Sequence, residues 1–398
     1  MTRIYHGWFV LVGAFIANLS FGPFLSFGVF YTPLLLEFGW SNAQTGSIVA
    51  LALVMYSVSS IVMGSLSDKI GARKVFALNS LLIGVGLGMA ANSNSIWELY
   101  LFYSVLGGTA WGSAGTVPLS LAVKWFTRKR ALATSIVVIG SGTSTLIFPT
   151  LSAHLMNIGG WRGALLTISF IFAGLLLLAA VMVKQRPESI DARWKLEEDH
   201  EPWTLRESMK TKAFWSLFSL VLLPSLALIA ILVYMPPLSI ARGIDPLLAA
   251  GAISTVGGTS IFGRLASPVL VRMMGGVRSL SFAMGMMSLS TLLVIIQFDL
   301  FTLYTFSLFY GFAYGVWIAD SPTVAGEFFG RANYGAIWGV INAAGGVGGL
   351  IGPLIAGLIL DMGGFDLQVL ILVTVVLSSA TIMSLFLEKP LRSRIISK

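Results

Sequence analysis

One arginine in this chain stands where arginine is expensive. The stretch GGTSIFGRLASPVLVRMMGG, residues 257–276, is apolar enough to lie in a bilayer, yet it holds Arg264, eight residues before Arg272. An arginine at the centre of a membrane helix costs roughly 2.5–3.5 kcal/mol on insertion scales, so a compensating partner is expected. A guanidinium is a planar fork of donors that matches a carboxylate. Ser260, one turn away on the same helix face, is placed to share an anion. Further along, Tyr310, Tyr314, Trp317 and Ser321 fall on one helix face at i, i+4, i+7 and i+11. Tyr and Trp join apolar bulk to a hydrogen-bonding tip, which suits the wall of a site for a small organic anion. Asn18, Asn342 and Trp338 are further polar or amphipathic candidates, followed by Tyr31 and Ser26. Asp320 is the one carboxylate placed well inside an apolar segment, at a depth close to that of Arg264. A buried acid without a partner tends to hold its proton. Asp320 is therefore expected to neutralise Arg264 in an empty site and to take up a proton when an anion displaces it. The structural alternatives are an arginine tied to helix carbonyls, an aromatic packing stripe and a packing acid.

These residues need elements to carry them, and composition says which. Of 398 residues, 56% are hydrophobic and only 11% charged, with a mean hydropathy of +0.87. A soluble domain of this length carries more charge. The apolar residues fall in windows of about 20, the length that crosses a hydrocarbon core of roughly 30 Å. They predict twelve transmembrane helices near 7–35, 43–66, 75–92, 96–123, 131–156, 162–183, 213–236, 246–271, 278–297, 300–326, 333–360 and 366–387. The first is read as a retained span, because its apolar run continues too far for a cleaved signal peptide. The fold class is thus an all-α membrane protein embedded in the lipid bilayer.

Charge placement orients it. Arg3, Lys69, Arg73, Lys74, Lys124, Arg128, Lys129, Arg130, Arg272, Arg278, Arg331 and the basic tail share one side, against Arg162 and Arg242 on the other. Both termini are expected in the cytoplasm of a cell-membrane protein. The net charge of +8 is explained by these short loops, so no nucleic-acid partner is expected. Residues 184–212 carry seven basic and seven acidic residues and read as a solvated cytoplasmic linker with room for a short amphipathic helix. There is no cysteine, hence no disulfide, thiolate metal site or cysteine nucleophile. The glycine-rich AAGGVGGLIGP at 343–353 lacks the lysine and strand context of a phosphate loop and reads as close helix packing. No catalytic cluster, cofactor or metal is expected.

The two sets of six spans repeat each other at an offset of about 204 residues. GTAWG at 108–112 matches GFAYG at 311–315, which pairs Trp111 with Tyr314 and suggests that they face one another across a cavity. Pro118 matches Pro322, Pro149 matches Pro353, MNIGGW at 156–161 matches LDMGGF at 360–365, and Gly71 matches Gly275. Five matches in near-constant register indicate a duplicated six-helix bundle. Two pseudo-symmetric bundles at 1–183 and 213–398 follow, joined by the 184–212 linker.

At the loop between spans two and three, GSLSDKIGARK at 64–74 resembles the signature of the major facilitator superfamily. The resemblance implies the fold just described and a gating role for Gly64, Asp68, Gly71 and Arg73, with Gly64 admitting a close helix neighbour. YHGWFVLVGAF at 5–15, SFGVFYTPLLLEFGWS at 26–41, KWFTRKRALA at 124–133 and GGWRGA at 159–164 resemble its monocarboxylate-transporter and oxalate/formate-antiporter group, and Gly263–Arg264 matches that group's eighth-span arginine. Ser26 stands where the animal carriers have a first-span lysine, and Ser260 where they have an eighth-span aspartate. The resemblance implies a monomeric secondary transporter of a small organic monoanion, working by alternating access with proton coupling or exchange. Efflux of apolar compounds and a non-transporting sensor are the alternatives.

Overall fold

The structure is a computed structural model that describes residues 7–126, 130–183, 203–330, 333–363 and 366–390. Among these residues there are helices and connecting turns but no strand. Twelve helical segments follow one another: α1 (Gly7–Phe38), α2 (Asn42–Ile70), α3 (Ala72–Ala90), α4 (96–125), α5 (130–158), α6 (161–182), α7 (Lys212–Ala241), α8 (Pro246–Met274), α9 (Gly276–Ile296), α10 (Leu300–Phe329), α11 (Tyr334–Asp361) and α12 (Asp366–Leu385). Even α3, with 19 residues, spans roughly 28 Å at the helical rise. The expected windows all appear, with shifted ends. α5 and α6 are separated only by Gly159 and Gly160, where φ is −128° and 66°. Of residues 184–212, the described part holds a one-turn helix, Leu205–Ser208, opened by a Thr204–Glu207 capping box. The stretch 184–202, and with it most of the expected linker, lies outside the described residues.

The helix ends follow from local chemistry. Ser41 and Asp299 open α2 and α10 with capping boxes, and Asp245 caps α8 by accepting from the Leu247 and Leu248 N–H groups. Gly71 (φ 89°, ψ 146°) turns α2 into α3, and Gly275 (φ 87°, ψ 155°) turns α8 into α9. Side chains rarely adopt this backbone. The two predicted repeat mates therefore make the same turn.

The other repeat mates set helix spacing. A Cβ on Gly112 would collide with Ser59, and one on Gly108 would meet the Ala52 carbonyl, so α4 lies directly on α2. In the second half, a Cβ on Gly311 would strike Thr259 and one on Gly315 the Ser260 carbonyl, so α10 lies on α8 in the same way. Close approach of this kind is how membrane helices gain packing without a hydrophobic drive between them. Gly64 departs from expectation. A Cβ there would meet only Thr116 Oγ1, at 3.9 Å, so Gly64 leaves room for a methyl and the close α2–α4 approach falls to Gly108 and Gly112 instead.

The halves α1–α6 and α7–α12 meet along α2 with α11, α5 with α8, and α1 with α7. Small residues line these contacts. Gly257 fits against Thr145, Gly346 against Ser57, Gly349 against Leu53 and Gly28 against the Leu232 and Val233 carbonyls. Gly348 and Gly352 lie on the Leu222 and Leu226 carbonyls of α7, so the glycine-rich 343–353 stretch serves helix packing. Thr150 and Ser254 share a hydrogen bond of 2.8 Å across the bundles. Two patches quoted for the resemblance meet within the first half. Arg162 donates to Glu37 Oε1 at 2.7 Å and to the Ser93 carbonyl at 2.8 Å, and the Trp161 indole donates to Glu37 Oε2.

Candidate functional site

α8 presents Arg264 to the seam between the halves, and the side chain is only 9% exposed. Its neighbours come from both bundles. Nη1 donates to the Val138 carbonyl of α5 at 2.7 Å, while Nη2 approaches the Tyr314 hydroxyl of α10 at 3.5 Å. The guanidinium carbon lies 5.6 Å from the centre of the Tyr314 ring, within reach of a cation–π contact. Nε is buried and has no hydrogen-bond partner. Among the described residues no carboxylate pairs with Arg264, and the Arg162–Glu37 ion pair lies elsewhere. A buried guanidinium with a bare donor and no counter-charge is only partly compensated by the protein groups around it.

The surroundings explain how the arginine fits. A Cβ on Gly142 of α5 would lie 2.9 Å from Nη1 and 3.2 Å from Ser260 Oγ, so this glycine opens the space that the guanidinium occupies. Ser260 is fully buried, one turn from Arg264, and its hydroxyl donates to the Gly257 carbonyl at 2.7 Å. Gly263 allows α10 to approach, because a Cβ there would collide with the Phe312 carbonyl. That approach brings Tyr314 to Arg264. Tyr56 of α2 lies within electrostatic reach of Tyr314 and packs its ring 5.4 Å from that of Phe21.

Other expected site residues are placed differently. Trp317 is buried beside Tyr314 at a ring separation of 6.2 Å, and its indole donates to the Leu220 carbonyl of α7 at 3.0 Å. Tyr310 is buried one turn behind, against Phe306, with an unpartnered hydroxyl. Trp111 does not face Tyr314. It packs between Phe24 and Tyr103 inside the first half, with ring separations of 5.5 and 5.2 Å. The repeat mates are not equivalent, since Trp111 turns into its own bundle whereas Tyr314 meets Arg264 at the seam, with Tyr56 of the first half near it. Asn18 joins α1 to α4 by donating to the Ala114 carbonyl at 2.7 Å, while its Oδ1, beside Gly140, has no partner. Asn342 is exposed on α11, on a face away from buried Ile341 and Ala344. Ser26 lies at a break in α1 and returns its hydroxyl to the Gly22 carbonyl at 2.7 Å.

Asp320 does not neutralise Arg264 in this conformation. It is fully buried, and its carboxylate is occupied by hydroxyls: Ser267 of α8 donates to Oδ1 at 2.5 Å and Ser279 of α9 donates to Oδ2. Ser267 lies three residues beyond Arg264 on the same helix. Of the expected gating residues, Gly71 is at its turn and Arg73 is exposed, while the Asp68 side chain lies outside what is described. Sequence reasoning missed Tyr56, the Val138 carbonyl and Gly142. Only the small-residue run GSGTS at 140–144 hinted at the last.

Comparison with known proteins places the chain. The sequence pattern of the Major Facilitator Superfamily matches residues 10–319. Monocarboxylate transporter 13 of Rattus norvegicus is 28% identical over 369 residues, covering 90% of this chain and 83% of that protein. The aspyridones efflux protein apdF of Emericella nidulans is 26% identical over 368 residues, covering 91% and 73%. Among solved structures, a bacterial homologue of the human lysosomal transporter Spinster, inward-facing and occupied, superposes with a TM-score of 0.74 over 99% of this chain and 98% of that one, at 15% identity. The duplicated helical architecture and the family match along most of its length make this chain a member of the Major Facilitator Superfamily of membrane transporters.

Proposed function

We propose that the protein carries small organic monoanions, monocarboxylates foremost, across the cell membrane by alternating access, with Arg264 receiving the carboxylate. The observation that carries this reading is the buried guanidinium with an unpartnered Nε and no acid beside it among the described residues. An incoming carboxylate supplies the missing charge and competes with the Val138 carbonyl for Nη1. Tyr314 and Ser260 offer hydroxyls near the same fork, and Tyr56 comes near Tyr314 from the other bundle. Similarity to monocarboxylate transporter 13 supports the substrate class. Arg264 bridges α8 to α5, so anion arrival and release of that bridge are one event. Such competition links occupancy of the site to separation of the halves.

Proton coupling is assigned to Asp320, acting through Ser267 on α8 rather than by direct contact with the arginine. A second reading, efflux of larger apolar compounds, is favoured by the similarity to the aspyridones efflux protein. Purified protein in proteoliposomes separates these readings and also tests for a non-transporting sensor. Labelled monocarboxylates are expected to accumulate. A carboxylate at 100 times its dissociation constant should also stabilise the protein by about 2.7 kcal/mol. Arg264→Ala should abolish both effects, and Arg264→Lys should cut uptake sharply because it keeps the charge and loses the fork. Unchanged uptake by well-folded Arg264→Ala would remove the assignment.

A further inference from the structure

Asp361, the last residue of α11, reaches across to the other half of the molecule. Its Oδ1 accepts from the Asn42 backbone N–H at 2.7 Å and from Asn42 Nδ2 at 3.0 Å, and its Oδ2 accepts from the Ala43 N–H at 2.8 Å. Asn42 and Ala43 open α2. The carboxylate therefore takes two of the N–H groups that a helix start leaves without intrahelical partners, and it does so at the positive end of the helix dipole. Ser41 caps the Gln44 N–H, and Asp361 takes the Asn42 and Ala43 N–H groups that this capping box does not reach.

Further bonds converge on the same place. Tyr31 donates to Asn42 Oδ1 at 2.8 Å. Tyr234 of α7 donates to the Pro353 carbonyl at 2.9 Å and approaches the Asn42 carbonyl at 3.3 Å. The two tyrosine rings stand 5.0 Å apart, edge to face. A Cβ on Gly357 would lie 2.8 Å from Ala43 Cα, so α11 and α2 touch at the level of the carboxylate.

The superfamily signature at 64–74 lies at the other end of α2, and nothing in it accounts for this cluster. We propose that Asp361 is a gating residue of the transport cycle. Its carboxylate latches the end of α11 onto the start of α2 and closes the molecule at the end opposite the termini. Each of its three bonds runs from one half to the other, so all three are lost when that end opens, whereas the bonds inside each bundle persist. The inference rests on the alternating-access part of the proposed function and is independent of which substrate is carried.

The sequence contains no cysteine, so introduced thiols report without background. A Cβ on Gly346 would lie 3.2 Å from Ser57 Cβ, near the ~3.5–4.5 Å separation across a disulfide. In Ser57→Cys/Gly346→Cys protein a mild oxidant should close the bridge readily. Adding Asp361→Ala should slow bridging on the order of tenfold, the effect of losing a charged hydrogen-bond cluster from one state. The same change should raise labelling of Ser57→Cys by an impermeant maleimide, applied from the side opposite the termini, by a similar factor. Asp361→Asn keeps the shape and one acceptor, and Asn42→Ala removes one donor, so both should give smaller shifts in the same direction. If Asp361→Ala is not monodisperse after purification, these two variants carry the test. Bridging and labelling rates equal to wild type in folded Asp361 variants would make the residue a passive helix cap and overturn the proposal. Because neither readout uses a substrate, failure of carboxylate uptake would count against the substrate class and leave the latch standing.

Discussion

Arg264 and Asp320 are both buried without an opposite charge at hand, and each is accommodated by a different means. Both oxygens of Asp320 accept serine hydroxyls, which satisfies the acid inside its own bundle. Arg264 leans on a backbone carbonyl and a phenol and keeps Nε bare. The acid is thus a complete structural unit, and the arginine an incomplete one. Asp320→Asn mimics the protonated acid and still offers one acceptor to the serines. It should allow counterflow exchange of the anion yet lose acceleration by an inward proton gradient, as measured in proteoliposomes. A wild-type protein that ignores the gradient, or a variant that still responds, would take Asp320 out of coupling. Both residues stand out in the sequence because charge is rare in apolar windows. The hydroxyls that satisfy Asp320 do not, since serine occurs in most of the spans.

At the scale of the helix, the site depends on how closely α10 lies on α8. Gly263, Gly311 and Gly315 permit that approach, and the approach sets the distance from Tyr314 to Arg264. Gly263→Val should force the helices apart at a cost of about 1–3 kcal/mol, the usual range for overpacking. A lower unfolding temperature together with loss of carboxylate-induced stabilisation is the expected result. Gly64→Ala is the contrasting case, because the added methyl would meet Thr116 at 3.9 Å. It should leave the unfolding temperature close to wild type. If Gly263→Val keeps full ligand response, close α8–α10 packing is not what positions the site. The repeat motif GTAWG/GFAYG revealed that these positions correspond. It did not reveal that their glycines face α2 and α8, nor that Trp111 turns into its own bundle while Tyr314 meets Arg264.

For the whole molecule, the two halves meet through small residues and a few polar bonds, from the level of Arg264 to the end marked by Asp361. This arrangement suits surfaces that must part and rejoin, because small-residue contacts pack closely without locking side chains together. Sidedness is the remaining global expectation, and the basic residues predict it. A reporter fused near residue 195 should be active in the cytoplasm, and one that works only outside the cytoplasm should stay silent there. Activity of the outside reporter at that position would invert the proposed topology.

Twelve spans, the duplication and the singular arginine were all determined by the sequence alone. Each is a local property: a bilayer demands apolar length, a repeat keeps its glycines and prolines in register, and a charge in such a window is conspicuous. The partners of that arginine were decided only by the tertiary structure. The Val138 carbonyl and Gly142 meet Arg264, and Tyr56 comes near Tyr314, through the rotation and tilt of α2 and α5. Helices that are apolar on every side carry little record of which face will meet a neighbour. The same holds for Asp361, which in the sequence is one acid at a helix end. Only the meeting of α11 with the start of α2, more than 300 residues away in the chain, makes it a bond between the halves.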